Sequence, residues 1–155
     1  MFDALIVKHL KEPLRSAARP LARAGITATQ LTLIGALSGL LAAVAIMSDA
    51  LMIAAILFGM NRFLDGLDGA LARIQGPTER GAFLDIICDF LVYSAIPLAF
   101  AVRDPNVGLA AAFLLFSFVG TGSSFLAFSI FAARHGLENK ALKDKSIYYL
   151  QGLTE

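Results

Sequence analysis

The chain has 155 residues, of which 57% are apolar and 16% are charged, and its mean hydropathy is +0.72. This composition excludes an ordinary soluble domain and predicts an integral membrane protein. The net charge of +1 gives no indication of nucleic-acid binding, and the single cysteine, Cys88, excludes an internal disulfide bond.

The first 28 residues are predicted to form a juxtamembrane amphipathic segment. Apolar residues recur at helical spacing from Phe2 to Leu21, which is typical of a helix that lies in the membrane interface. No apolar stretch with a cleavage site precedes the first long hydrophobic segment, so a cleaved signal peptide is not expected. The bases of this segment outnumber its acids, with Lys8, Lys11, Arg15, Arg19 and Arg23 against Asp3 and Glu12.

Residues 29–134 are predicted to form an all-α transmembrane domain, followed by a cytoplasmic segment over residues 135–155. The domain contains four apolar segments, at residues 29–47, 50–73, 81–102 and 107–134. Each is about as long as the ~20 residues that a helix needs to cross the hydrocarbon core. Short turns join them, so about four antiparallel transmembrane helices are expected. Gly35 and Gly39 in the first segment are expected to permit close helix packing within the chain.

The basic residues predict how these helices are oriented in the membrane. Arg73 and Arg80 flank the turn between the second and third segments, and Arg134 ends the fourth. The positive-inside rule therefore places both termini and this turn on the cytoplasmic side. We expect the chain to lie in a bacterial inner membrane, with its site opening toward the cytoplasm.

Four aspartates interrupt the second and third apolar segments. Asp65 and Asp68 share a face of one helix at spacing i, i+3, and Asp85 and Asp89 share a face of the next at spacing i, i+4. In an antiparallel hairpin, the connecting Gly-Pro turn brings Asp65 level with Asp89 and Asp68 level with Asp85. The four carboxylates are therefore expected to form one cluster within the membrane.

Four clustered carboxylates repel one another strongly where the dielectric constant is low, so they need positive partners. Internal ion pairs are too few, because only Arg62 and Arg73 lie nearby on the second helix. Hard divalent cations suit an all-oxygen ligand set, and four acids can hold two ions, which is an arrangement used in phosphoryl chemistry. Mg²⁺ is the expected ion, with Mn²⁺ or Ca²⁺ as alternatives.

The surface beside the acids is nearly free of side chains, because Gly69, Ala72 and Gly81 lie there. Arg73 can contact a phosphate, so a nucleotide diphosphate is the expected substrate. Two other classes would use the same acids. One is a divalent cation transporter or channel lined with carboxylates, and the other is a non-catalytic membrane scaffold.

The segment DGLDGALARIQGPTERGAFLDIICD resembles the signature of the CDP-alcohol phosphotransferases, D-x₂-D-G-x₂-A-R-x₇₋₈-G-x₃-D-x₃-D. A second stretch, GITATQLTLIGALSGL at residues 25–40, resembles the start of the family's first helix, with Ala28-Thr29 where many members have Pro-Asn. All eight fixed positions of the signature are present, namely Asp65, Asp68, Gly69, Ala72, Arg73, Gly81, Asp85 and Asp89.

The resemblance implies a phospholipid-synthesis enzyme that moves a phosphoalcohol group from a CDP-alcohol, such as CDP-diacylglycerol, to an acceptor alcohol and releases CMP. It implies a metal and CDP site within residues 62–89. Asp65, Asp68 and Asp85 would be metal ligands, and Asp89 would be a further ligand and the general base. The implied CDP-binding set is Asp65, Gly69, Ala72, Arg73 and Gly81.

Family members usually have six transmembrane helices and form homodimers. This chain supplies about four helices, so we expect it to stop before further ones. The acceptor alcohol cannot be named from the sequence. A phosphorylated acceptor would need bases at the cytoplasmic rim, for which the candidates are Arg80, Arg134 and Lys140.

Overall fold

A computed structural model describes residues 2–135, with the side chains of residues 2–11 and 133 excepted. Five α-helices and a short 3₁₀ turn follow one another, and the described residues contain no strand. The all-α prediction is therefore confirmed. The helices are α1 (Phe2–Arg23), α2 (Ala28–Met47), α3 (Leu51–Gln75), α4 (Glu79–Arg103) and α5 (Gly108–Arg134), with the 3₁₀ turn at Pro105–Val107.

The four apolar segments coincide with α2 to α5 to within two residues at each end. By length and composition, α2, α4 and the stretch Pro105–Ala132 are apolar enough to cross a membrane. Helix α3 is as long as α4, at 25 residues. It is less apolar because it carries Arg62, Asp65, Asp68 and Arg73.

Local signals explain where the helices begin and end. Thr27 caps α2 in a reciprocal capping box with Gln30, and Thr78 caps α4 by accepting a hydrogen bond from the amide of Gly81. Gly76 ends α3 with φ of +93°, a backbone conformation that a glycine adopts at little cost. The predicted Gly-Pro turn is therefore present.

Helix α2 packs against both α3 and α4, whereas α3 and α4 do not pack directly on each other. The expectation of a tight α3–α4 hairpin was therefore wrong. The small residues of α2 explain the difference. A methyl group at Gly35 would lie 3.3 Å from Leu64 Cβ, and one at Gly39 would lie 2.6 Å from a methyl group of Val92. The glycine pair thus serves packing within the chain, as predicted.

Replacing Gly39 by alanine is expected to destabilise the protein by about 1–3 kcal/mol, because the added methyl group would push α4 away from α2. Thermal unfolding in detergent measures the effect. Gly59→Ala is the matched control, since no atom lies within 4 Å of the methyl group that it would add. Equal melting temperatures for the two variants would contradict the packing explanation.

Helix α1 packs on α3. Ala18 is fully buried, and Leu14 and Leu21 pack around it against Leu67 and Leu71 of α3. Gln75 joins the end of α3 to the α1–α2 connection, because its Nε2 donates to the Ile26 carbonyl at 2.6 Å. Part of the predicted apolar side of α1 therefore faces protein, and its location in the membrane interface stays a prediction.

An ion pair connects two elements at the other end of the bundle. Arg103, which ends α4, lies 2.6 Å from the carboxylate of Asp49 in the α2–α3 turn. The side chain of Asp49 is 75% exposed, and its φ is 63°. This pair is remote from the aspartate cluster in the chain and serves below as a comparison.

Candidate active site

A small pocket lies where α3 and α4 face each other across α2. It contains all four predicted aspartates, so the register argument brought the correct residues together. The pocket is lined by Thr32, Gly35 and Ala36 of α2, by Asn61, Asp65 and Asp68 of α3, and by Asp85, Cys88 and Asp89 of α4.

Three of the aspartates converge. One carboxylate oxygen from each of Asp65, Asp68 and Asp85 lies within 4.8 Å of the others. Asp68 is 4% exposed, while the other two are half-buried. Hard oxygen donors that come this close suit a divalent cation such as Mg²⁺, and they suit softer metals poorly. The residues present therefore fit the ion that the sequence predicted.

Helix α2 contributes a hydroxyl group to this cluster. Thr32 Oγ1 lies 2.5 Å from Asp68 Oδ2 and 3.1 Å from the Ala28 carbonyl. Both Thr32 and Asp68 are buried. The hydrogen bond orients a carboxylate that would otherwise be surrounded mainly by other acids.

Asp89 lies in the same pocket but pairs with a cation. Arg62 Nη2 donates to Asp89 Oδ1 at 2.9 Å, and Arg62 Nη1 lies 3.8 Å from Asp65 Oδ2. The other guanidinium nitrogens donate at 2.8 Å to the phenol oxygen of Tyr93 and to Asn61 Oδ1. The expectation that internal ion pairs are too few holds for three acids, but Asp89 has a direct partner.

The predicted CDP-binding positions other than Asp65 do not line the pocket. Gly69, Ala72 and Arg73 follow on the stretch of α3 that leads to the Gly-Pro turn, and Gly81 lies in the first turn of α4. The Arg73 guanidinium lies over Gly69, so that a methyl group there would be 3.5 Å from Nη1. At Gly81 an added methyl group would lie 2.9 Å from Thr78 Oγ1.

The acceptor candidates lie at helix ends. Arg80 is in the first turn of α4, and Arg134 is the last residue of α5. Both are exposed, and the antiparallel packing of α4 and α5 places them at the same end of the bundle. Lys140 lies outside the described residues. The acceptor role of all three stays a prediction.

Several residues of the site were missed or differently interpreted from the sequence. Thr32, Asn61 and Tyr93 bond to charged groups of the site, yet none was predicted to do so. Asn61 could have been found, because an asparagine in an apolar segment needs a partner, and its Nδ2 donates to the Gly35 carbonyl at 2.9 Å. Cys88 was interpreted as a small packing residue, and it lines the pocket.

The family model for CDP-alcohol phosphatidyltransferases matches residues 25–148. The chain belongs to this family. The match begins in the α1–α2 connection and includes the whole acidic pocket, so the resemblance carried by the eight signature positions is confirmed. As a CDP-alcohol phosphatidyltransferase family member, the chain is a transferase of the phospholipid-synthesis type.

Three relatives of this family member have been described. The chain is 45% identical to Inner membrane protein YnjF of Escherichia coli, over 100% of the chain and 76% of the relative. It is 40% identical to an archaetidylinositol phosphate synthase of Pyrococcus horikoshii, over 60% of the chain and 50% of the relative. It is 32% identical to a bifunctional IPC transferase and DIPP synthase of Thermococcus kodakarensis, over 56% of the chain and 20% of the relative. No solved structure matches the chain.

Proposed function

We propose that the chain transfers a phosphoalcohol group from a CDP-alcohol to an acceptor alcohol and releases CMP. The observation that carries this proposal is the convergence of the Asp65, Asp68 and Asp85 oxygens beside Asp89, in a pocket within the segment that matches the family. CDP-diacylglycerol is the proposed donor, because a lipid donor can enter sideways from the bilayer.

Asp65, Asp68 and Asp85 would hold a divalent cation, with Asp89 as a further ligand. Two ions, with Mg²⁺ preferred over Mn²⁺ or Ca²⁺, are part of the proposal. A bound divalent ion would offset the negative charge that develops on the diphosphate as CMP departs. Arg73 would contact the same diphosphate, and Gly69, Ala72 and Gly81 would leave room for the nucleotide.

Asp89 is the proposed general base. The acceptor oxygen forms a bond to the phosphorus that carries the donor's alcohol, and the bond from this phosphorus to the CMP oxygen breaks. CMP leaves with that electron pair, while the proton of the acceptor hydroxyl passes to the Asp89 carboxylate. Asp89 lies beside the converging acids and keeps 31% of its side chain exposed, as this role requires.

The acceptor and the cellular setting are proposed more broadly. One relative is named an archaetidylinositol phosphate synthase, so inositol phosphate is an acceptor to test, together with glycerol phosphate. Arg80, Arg134 and Lys140 would bind the acceptor's phosphate. We propose a location in a bacterial inner membrane, with the N-terminus and the pocket opening cytoplasmic, and assembly as a homodimer. The division at residues 28 and 134 stays a prediction.

The test is CMP release by the purified full chain from CDP-diacylglycerol with Mg²⁺, across a panel of free and phosphorylated alcohols. We expect release with at least one acceptor, and CDP with Mg²⁺ should raise the melting temperature. Absence of both effects would overturn the proposal. Divalent cation flux into liposomes that is independent of nucleotide would instead support a transporter or channel.

A further inference from the structure

Arg62 is oriented by more contacts than charge compensation requires. Its three guanidinium nitrogens donate to three different side chains at 2.8–2.9 Å, those of Asn61, Tyr93 and Asp89. The guanidinium also lies 5.0 Å from the ring centroid of Tyr93 and 5.7 Å from that of Phe58. A cation that only neutralised Asp89 would need the one carboxylate contact.

The network around Arg62 starts from a rigid point on α2. Asn61 is 3% exposed, and its Nδ2 donates to the Gly35 carbonyl at 2.9 Å. Its Oδ1 then accepts from Arg62 Nε, which fixes the plane of the guanidinium. The backbone of α2 is thereby connected through α3 to the side chain of Asp89 on α4. Such a chain of bonds determines a direction as well as a charge.

The consequence for Asp89 concerns its two oxygens. Arg62 occupies Oδ1 at 2.9 Å, while Oδ2 has no hydrogen-bond partner among residues 2–135. Without Arg62, repulsion from the three converging acids would act on an Asp89 side chain whose terminal torsion rotates easily. Arg62 therefore decides which oxygen stays available.

We propose that Arg62 is a positioning residue that holds Asp89 by Oδ1 and leaves Oδ2 to accept the proton of the acceptor hydroxyl. This inference rests on the proposed function and deepens it. Arg62 acts through Asp89, and Tyr93 and Asn61 act through Arg62. The three signature acids Asp65, Asp68 and Asp85 remain the cation-binding group.

A structural ion pair elsewhere in the molecule provides the comparison. Arg103 and Asp49 are at least as close as Arg62 and Asp89, but Asp49 is 75% exposed and the pair lies in the turns at the other end of the bundle. Arg103→Gln therefore removes an arginine–aspartate pair without touching the pocket. Its effect reports what the loss of such a pair does to the fold alone.

The experiment measures kcat and KM for CDP-diacylglycerol with Mg²⁺ and saturating acceptor, and in parallel the rise in melting temperature caused by CDP with Mg²⁺. Arg62→Gln is expected to lower kcat about 10–100-fold, the range typical of residues that orient a functional ligand. KM and the CDP response should stay unchanged, because the acids and the nucleotide positions are intact. Arg103→Gln should leave kcat unchanged.

Two further variants keep the test decisive if Arg62→Gln does not fold. Arg62→Lys should restore part of kcat, since an ammonium group can reach Asp89 but cannot reproduce the planar fork. Tyr93→Phe keeps the ring and removes the oxygen that accepts from Nη1, so it should lower kcat less than Arg62→Gln does. When combined with Arg62→Gln, Tyr93→Phe should add no further loss.

The outcomes separate this inference from the proposed function. If the unaltered chain releases no CMP, the proposed function fails and the inference falls with it. If the unaltered chain is active and Arg62→Gln or Arg62→Lys retains its kcat, only the inference fails. A higher KM with unchanged kcat would make Arg62 a donor-binding residue, and an equal loss of kcat in Arg103→Gln would make its role structural.

Discussion

Replacement of Asp89 by asparagine is expected to reduce CMP release by about 10²–10⁴-fold, the usual contribution of a general base. Asparagine has the same shape and its amide oxygen can still accept the hydrogen bond from Arg62, but it cannot take a proton at neutral pH. The rise in melting temperature caused by CDP with Mg²⁺ should persist, because Asp65, Asp68 and Asp85 are unchanged. Turnover and thermal unfolding of one preparation measure both effects.

Asp49→Asn is the matched control for this variant. It makes the same chemical change at the other end of the bundle, and asparagine tolerates the positive φ of 63° at that position. We expect unchanged turnover for the control. Full turnover by Asp89→Asn would show that another group accepts the proton.

Replacement of Asp68 by asparagine is expected to abolish the response to divalent cations. The amide would keep a polar contact with Thr32, but the converging group would fall from three carboxylates to two. CMP release should drop below detection, and CDP with Mg²⁺ should no longer raise the melting temperature. A ligand at 100 times its Kd stabilises by about 2.7 kcal/mol, so its loss is readily measured.

The metal-free protein should respond to Asp68→Asn in the opposite direction. Asp68 is 4% exposed, and a buried carboxylate beside two others is destabilising when no cation is present. We therefore expect the variant to melt higher than the unaltered chain in a chelator and lower than it in Mg²⁺ with CDP. Parallel melting curves under both conditions would contradict a cation site at these acids.

Local signals explain how far the fold could be predicted. The lengths of the apolar segments and the Gly-Pro turn determine where α2 to α5 begin and end, because each signal lies within the element that it describes. The position of α2 against both α3 and α4 depends on which surfaces fit. The close approach of Gly39 to Val92 joins residues 53 positions apart, and periodicity in one segment does not reveal such a pair.

The site shows the same division between local and tertiary information. Spacing placed four acids at one depth, because helical rise and an antiparallel connection are regular. The pairing of Asp89 with Arg62 could not be predicted, since it depends on how α3 and α4 rotate when each packs on α2. Arg62 was recognised as a nearby base, but its bonds to Tyr93 and Asn61 require the relative positions of three helices.

The peripheral position of α5 has a consequence for how such enzymes can diversify. In the described structure α5 packs on α4 and the adjoining 3₁₀ turn alone, and every residue that lines the pocket lies on α2, α3 or α4. Substitutions on α5 therefore reach the acids only through α4. A three-helix catalytic module of this kind can be inherited unchanged while its neighbours are exchanged. One relative illustrates this freedom in chain length, because the present chain covers 20% of it.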